Sequence, residues 1–550
     1  MNKITIFGKR TILKTTMIVI VVLLVIVPSG VVTAHQNEKL QKTYELKIEK
    51  QKFYPPEWRQ LTGNGFGKET NLATRGMAIY KDEPYIGTHN VKFPKLLQNI
   101  FPGASKLLQN LCQLSPNILP KLLHRGPLFR MIFKLVHSLR RCTIRRGLHL
   151  AVKPSEGCEI WKYNYTTDSL IQIVGNGSIT GMKSGFNYTF NCLASVITEF
   201  EGKLYVGTWN TPIGSLQNPH RKGCEIWRYD GTTWEQVVGH NAPIMKGGFG
   251  NFNNVGISSM EGFNGYLYAG TMNWDPSSHG GCEIWRTKDG VQWEQVVSHG
   301  FKQNMSTSDL VAGVTNTYVW SMEIFQNQLY VGTFNSRYRL VCNAGMGCQL
   351  WRTDNGKNWC KVNLPTGVTG VYQDGFGEPE NYGTRTMVVY NNELYVGTTS
   401  NLIHGKGCEI WKYDGVNWMP VISVDVPGVK PTDIKYSGFG NPLNKYAWSM
   451  TVTSDNKLYV GTANGKIINL IEPKTEGCEI WCYDGTEWMP VVKDGKGEKP
   501  NGFGNIKNEG ARSMIEYPVG SGNVVIGTFK LVSNRPFIPQ EGCEIWMRIV

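Results

Sequence analysis

A five-residue block, Gly-Cys-Glu-Ile-Trp, returns along the chain with its cysteine at 158, 224, 282, 348, 408, 478 and 543, the fourth copy reading Gly-Cys-Gln-Leu-Trp. Recurrence at spacings of 58 to 70 residues requires equivalent structural units laid side by side. Upstream of each block an apolar strand ends in Gly-Thr, at Gly87, Gly207, Gly270, Gly332, Gly397, Gly461 and Gly527. Before that comes a strand with Met or Ile at 77, 197, 260, 322, 387, 450 and 514, each six residues after an Asn, and a Gly-Phe pair opens every unit. The repeat therefore reads as four short strands, A to D, separated by glycine-bearing turns. In the fourth unit they cover Trp320 to Phe325, Leu329 to Thr333, Cys348 to Arg352 and Trp359 to Val362.

Four-stranded sheets at this period are blades of a β-propeller, whose radial repetition leaves only short sheet edges. The expected fold is all-β: a seven-bladed β-propeller over residues 57–550. The chain ends just after a strand C, at Trp546-Met547-Arg548-Ile549-Val550, whereas Trp58-Arg59-Gln60-Leu61 is a strand D with no partner of its own. An N-terminal strand completing the last blade would close the ring. Composition agrees, with 62 glycines for turns and 41% hydrophobic residues for a large core, and it excludes a disordered chain.

The C-to-D turns Arg352-Thr353-Asp354-Asn355-Gly356-Lys357-Asn358-Trp359 and Thr287-Lys288-Asp289-Gly290-Val291-Gln292-Trp293 resemble Asp-box turns of sialidase-like propellers. The shorter Tyr229-Asp230-Gly231-Thr232-Thr233-Trp234 turn, with Tyr413-Asp414-Gly415 and Tyr483-Asp484-Gly485, is more similar to kelch-type repeats. This resemblance implies a fold and no chemistry.

Basicity is local. The formal charge of +14 comes from residues 1–34, with four bases and no acid, and residues 91–153, with twelve bases and no acid; the remainder is nearly neutral. Residues 1–34 have a basic start, an apolar run from Met17 to Val27 and a small-residue site at Val32-Thr33-Ala34. They read as a signal peptide, with an uncleaved anchor as the alternative; residues 35–56 would be a linker. Extracellular or cell-surface localisation follows, and Asn164, Asn176, Asn187 and Asn304 stand in glycosylation triplets. Residues 91–153 read as a basic helical insertion within blade 1. A helix there would align Arg130, Lys134, His137 and Arg141 for contact with an anionic membrane surface or a protein partner, the alternative being a cap packed on the propeller. Cys112 and Cys142 in the same insertion are a disulfide candidate. The seven repeated cysteines would lie blades apart, as small buried hydrophobes.

Departures from the repeat locate the candidate site. Of 17 tryptophans, Trp209, Trp274, Trp320 and Trp448 fall outside the repeated positions, either after strand B or at the start of strand A. Tyr318, Tyr382 and Tyr446 stand beside the same strand entry, and Arg75, Arg385 and Arg512 recur within it. All ten should surround one mouth of the central channel. Aromatic faces cover the apolar sides of sugars, and converging guanidiniums bind a carboxylate or sulfate, as the arginine triad of sialidases does. Packing at the rim is the alternative for the aromatics. The expectation is a non-catalytic binding or adhesion module for a glycan or surface polymer, acting as a monomer. The alternatives are a glycan-active hydrolase or lyase on the same face, which a close carboxylate pair beside the arginines would favour, and a protein-interaction scaffold. No cofactor motif or metal-ligand spacing occurs, and export makes nucleic acid an unlikely partner.

Overall fold

The computed structural model describes residues 56–91, 155–210, 222–274, 280–304, 316–335, 347–366, 374–402, 405–469, 472–530 and 541–550. The leader, Cys112, Cys142, Arg130, Lys134, His137 and Arg141 lie outside the described residues.

Hydrogen bonding follows the repeat. In the fifth copy strand A (Asn381–Tyr390) pairs antiparallel with B (Glu393–Ser400), B with C (Ile410–Tyr413) and C with D (Trp418–Ile422). Twenty-eight strands belong to one network. Consecutive repeats touch where the end of one strand B meets the next strand A, as at Trp209 with Gly256, Phe334 with Gly383 and Ala463 with Gly510. A last bridge, Phe529 with Ala73, returns to the first repeat and closes the circle. The N-terminal strand Glu57–Thr62 pairs with Ile545–Ile549, setting Trp58 opposite Arg548, and so supplies the missing strand D of the final copy. The fold is thus all-β, closed, antiparallel and propeller-like.

A chain beginning at residue 64 should lose at least about 2 kcal/mol, because it bares the edge of Ile545–Ile549 and removes Trp58 from its edge-on contact with Phe503. Thermal unfolding measures this, and an unchanged midpoint would show that closure adds nothing.

Among the described residues the core is divided into apolar clusters that lie between adjacent repeats. One of them joins Phe263, Ile284 and Val297 of the third copy to Val319, Val331 and Trp351 of the fourth. The repeated glycines permit this closeness. A β-carbon at Gly397 would stand 2.8 Å from that of Ala447 in the next repeat, too near for any residue but glycine.

The repeated polar residues staple neighbours together. Asn444 donates from Nδ2 to the Gly438 carbonyl and to the Glu479 carboxylate, both at 2.9 Å, and Trp481 donates its Nε1 to that carboxylate at 3.0 Å. The Gly438 amide reaches back to the carbonyl of Cys408 in the preceding repeat at 2.7 Å. Phe439 lies flat on Trp481, 4.8 Å between centroids and 4° from parallel. The same asparagine bonds recur in all seven copies, Gln349 replacing the glutamate in the fourth. Each Phe of the Gly-Phe pairs has φ between 56° and 68°, a left-handed conformation costing of order 1–3 kcal/mol, offset by the stacked ring and the two amide bonds.

The C-to-D turns behave as their sequences suggest. In one, Asp289 Oδ1 accepts the amides of Val291 and Gln292 at 2.8 and 2.7 Å. The Thr287 hydroxyl accepts the Gly290 amide at 2.9 Å. Thr353, Asn355 and Gly356 repeat the arrangement. The seven repeated cysteines are buried and unpaired, and burial raises their thiol pKa values.

Candidate functional site: an arginine cage within an aromatic ring

Strand A carries the site because its residues line the axis. Four residues after each repeated asparagine the seven copies read Arg75, Ser195, Ser258, Trp320, Arg385, Trp448 and Arg512. All of these except Trp320 bound an axial cavity of about 230 Å³, together with the methionine and serine positions that follow them. Ser195 donates to the Gly207 carbonyl at 3.0 Å, Ser321 to that of Thr384 at 3.0 Å and Ser449 to that of Ala511 at 2.8 Å, so these hydroxyls latch strands. Arg385 and Arg512 have no such bond to a backbone carbonyl among the described residues.

Arg75 donates from Nη2 to the Ser258 carbonyl at 3.2 Å, across the channel. Arg512 approaches His89 Nδ1 at 3.4 Å, and its guanidinium lies 5.3 Å from the Trp448 ring and 5.5 Å from Phe529. Arg385 stands over Trp320 at 5.3 Å. Arg385 and Arg512 are each 8% exposed, and their Nε atoms are buried with no hydrogen-bond partner among the described residues. Among the described residues no acidic side chain lines the cavity. Burial, and then the neighbouring guanidiniums, push Arg512 down to about 9 and Arg385 well below its usual value; burial brings Arg75 to about 10. His89 is held well below its ordinary pKa by burial, then by Arg512 and Arg75, and is neutral at physiological pH.

The aromatic residues form a continuous belt around this cage. His89 stacks on Trp209 at 6.0 Å, and Trp209 meets Trp274 edge-on at 5.8 Å. Trp274 donates its Nε1 to the Tyr318 hydroxyl at 2.8 Å; Tyr318 contacts Trp320, Trp320 contacts Tyr446, and Tyr446 contacts Trp448. Trp448 and Arg512 lead back to His89. All four expected tryptophans thus join one assembly with the three arginines. Glycine makes room for two of them: a side chain at Gly383 or Gly510 would fall inside the rings of Trp320 or Trp448.

Tyr382 differs in register from its two companions. Tyr318 and Tyr446 lie two residues after the repeated asparagine, but Tyr382 lies one after it, where Gly383 fills the equivalent place. It meets the belt through Phe334 at 5.2 Å. Burial raises the pKa of all three tyrosines, that of Tyr318 to about 12.

His89, Phe334 and Phe529 escape a search by residue type but share one repeat position, directly after Gly-Thr, with Trp209. Comparing that position across the copies would have found them.

Acidic residues near this face have other occupations. Asp374 pairs with Lys361 at 2.9 Å and Glu378 with Lys406 at 3.0 Å. Glu509 is 9% exposed, and burial raises its carboxyl to about 8. None of these reaches the cavity lining. Among the described residues no cluster of three His, Cys, Asp or Glu side chains is arranged to hold a metal ion. Of the glycosylation candidates, Asn176, Asn187 and Asn304 are exposed and Asn164 is half-buried; Asn304 donates its amide to the Trp359 carbonyl at 3.0 Å.

The molecule is a closed, propeller-like all-β protein with an arginine and aromatic site on its axis. No protein-family model matches the chain, and no curated protein matches it. Similar solved structures include a Trypanosoma rangeli sialidase in complex with sialic acid, at 9% identity over 64% of this chain and 53% of that one, with a TM-score of 0.35. The chain therefore spans about half the length of that sialidase. Polysaccharide lyase Uly1 is similar at 8% identity, 86% and 89% coverage and a TM-score of 0.39. A PL25 ulvan lyase is similar at 10% identity, 86% and 94% coverage and a TM-score of 0.39.

Proposed function

We propose that this chain is an exported, seven-bladed β-propeller that binds an acidic glycan or surface polymer without changing it chemically. The acidic group sits among Arg75, Arg385 and Arg512, and sugar faces lie against the belt of Trp209, Trp274, Trp320 and Trp448. One observation carries this reading: among the described residues, three guanidiniums share a cavity with no acidic lining residue, and two of them are nine-tenths buried with an unpaired Nε. Leaving a buried charge uncompensated costs several kcal/mol, whereas each charge-assisted bond to an anion returns about 1.5–3 kcal/mol. A ligand that brings negative charge relieves both terms.

A glycan array of neutral and acidic saccharides, probed with the full-length chain, tests this. Acidic glycans should bind, and the signal should vanish in an Arg385→Gln/Arg512→Gln double variant that keeps the native circular dichroism spectrum. Equal binding of neutral glycans, or an undiminished signal in the variant, would remove the arginines from the function.

A second reading, a lyase, is favoured by His89 alone. A neutral imidazole beside Arg512 is equipped to take a proton from a carbon next to a carboxylate that the guanidinium neutralises. Hydrolysis by paired carboxylates finds no such support, because the pair is absent from the cavity lining. Incubation with uronate polymers decides: new ultraviolet absorbance from an unsaturated product supports elimination, and its absence at saturating ligand leaves simple binding.

A further inference from the structure

We infer that the arginine cage is built for a doubly charged tetrahedral group, so that the acidic ligand carries a phosphate monoester in preference to a carboxylate or a sulfate ester. This deepens the anion-binding reading above and rests on it.

Two independent features point the same way. The first is the number and placement of donors. Arg385, Arg512 and Arg75 come from the fifth, seventh and first repeats, with Trp448 of the sixth between the first two. A carboxylate offers three guanidiniums on separate strands only two oxygens, both in one plane, so at least two of the arginines must share one. A phosphoryl or sulfuryl group offers three free oxygens, one toward each arginine. The second feature is charge. The cage holds three cations, His89 beside it is neutral, and among the described residues no acidic side chain lines the cavity. A monoanion leaves two positive charges facing each other in a poorly solvated space, and a dianion leaves one. Charge pairs are stronger in such a space than in water, so the second negative charge outweighs small differences in fit. A sulfate ester matches the shape with a single charge; a phosphate monoester matches both shape and charge. The cavity of about 230 Å³ equals the liquid volume of roughly eight waters, enough for such a group and part of the sugar that bears it.

Glucose 6-phosphate and glucose 6-sulfate separate shape from charge, and glucuronate adds the carboxylate. Calorimetric titration of the full-length chain with each, at about pH 8 and about pH 5, spans the second ionisation of the phosphate ester near pH 6. Titratable groups facing the arginines are His89, Tyr318, Tyr446 and the thiols of Cys192 and Cys543. Tyr318, Tyr446 and Cys543 are shifted up, away from this window, and His89 is shifted down.

The phosphate ester should bind about tenfold or more tighter than the other two at the higher pH. That advantage should shrink toward parity with the sulfate ester at the lower pH. It should also fall about tenfold in Arg385→Gln, and in Arg75→Lys should the first variant fail to fold. Equal or tighter binding of glucose 6-sulfate or glucuronate at pH 8, or a phosphate affinity indifferent to pH, overturns the preference for a dianion while leaving anion binding in place. Binding of none of the three overturns the anion-binding reading itself.

Discussion

Replacing Trp481 with alanine should destabilise the protein by about 3–5 kcal/mol, the usual cost of emptying a fully buried tryptophan site. Trp481 is 0% exposed, stacks on Phe439 and holds Glu479 through its indole nitrogen. Its removal also leaves Phe439 in a left-handed backbone conformation (φ 57°) without the ring that offsets the strain. Denaturant titration of the variant measures the loss. Trp209→Ala, at a half-buried belt position, provides the contrast and should cost much less. A loss below about 1 kcal/mol for Trp481→Ala would mean that the repeated Phe–Trp–Glu–Asn staple does not hold the repeats together.

The arginine cage leads to the opposite expectation. Arg512→Gln should raise stability in the absence of ligand, even as it weakens anion binding by about tenfold or more. The sign follows from the lowered pKa: Arg512 sits at about 9 in the fold, so its burial penalty is complete at every pH below that and is relieved only as pH rises further. At pH 7 the penalty is present in full. A neutral glutamine removes it and also forfeits the contacts with Trp448 and Phe529, worth about 0.5–2 kcal/mol. The net gain should be of order 1 kcal/mol, visible as a higher thermal midpoint. Added sulfate should raise the midpoint of the native chain more than that of the variant. A variant less stable than the parent without ligand would show that Arg512 is a packing residue first.

Much of the strand order is legible in the sequence because the repeat returns glycines and aromatic residues at fixed places in its strands and turns. The unpaired Trp58 strand and the chain's last strand announce their pairing by register alone. The staple is only partly legible. The repeated asparagine reads as a backbone cap, and it does bond the Gly-Phe carbonyl; its second partner, the glutamate of the Gly-Cys-Glu-Ile-Trp block, is 28 to 88 residues away. Nothing local signals such a bond, since it depends on how strand C folds back under strand A. In the site, the tryptophans and arginines stand out as departures from the repeat. His89, Phe334 and Phe529 do not, because chemistry at their position becomes visible only when the copies are aligned on Gly-Thr. The offset of Tyr382 from Tyr318 and Tyr446 has the same origin: one residue of register moves a side chain to the other face of a strand.

The central claim is that the axial arginines hold an anion. A crystal structure of the full-length chain grown in phosphate or sulfate tests it most directly. The account predicts tetrahedral density within hydrogen-bond distance of Arg75, Arg385 and Arg512, with the buried Nε of Arg385 or Arg512 among its donors. A cavity filled with water alone, the three guanidiniums turned away from the axis or paired with a carboxylate of the chain, would contradict it.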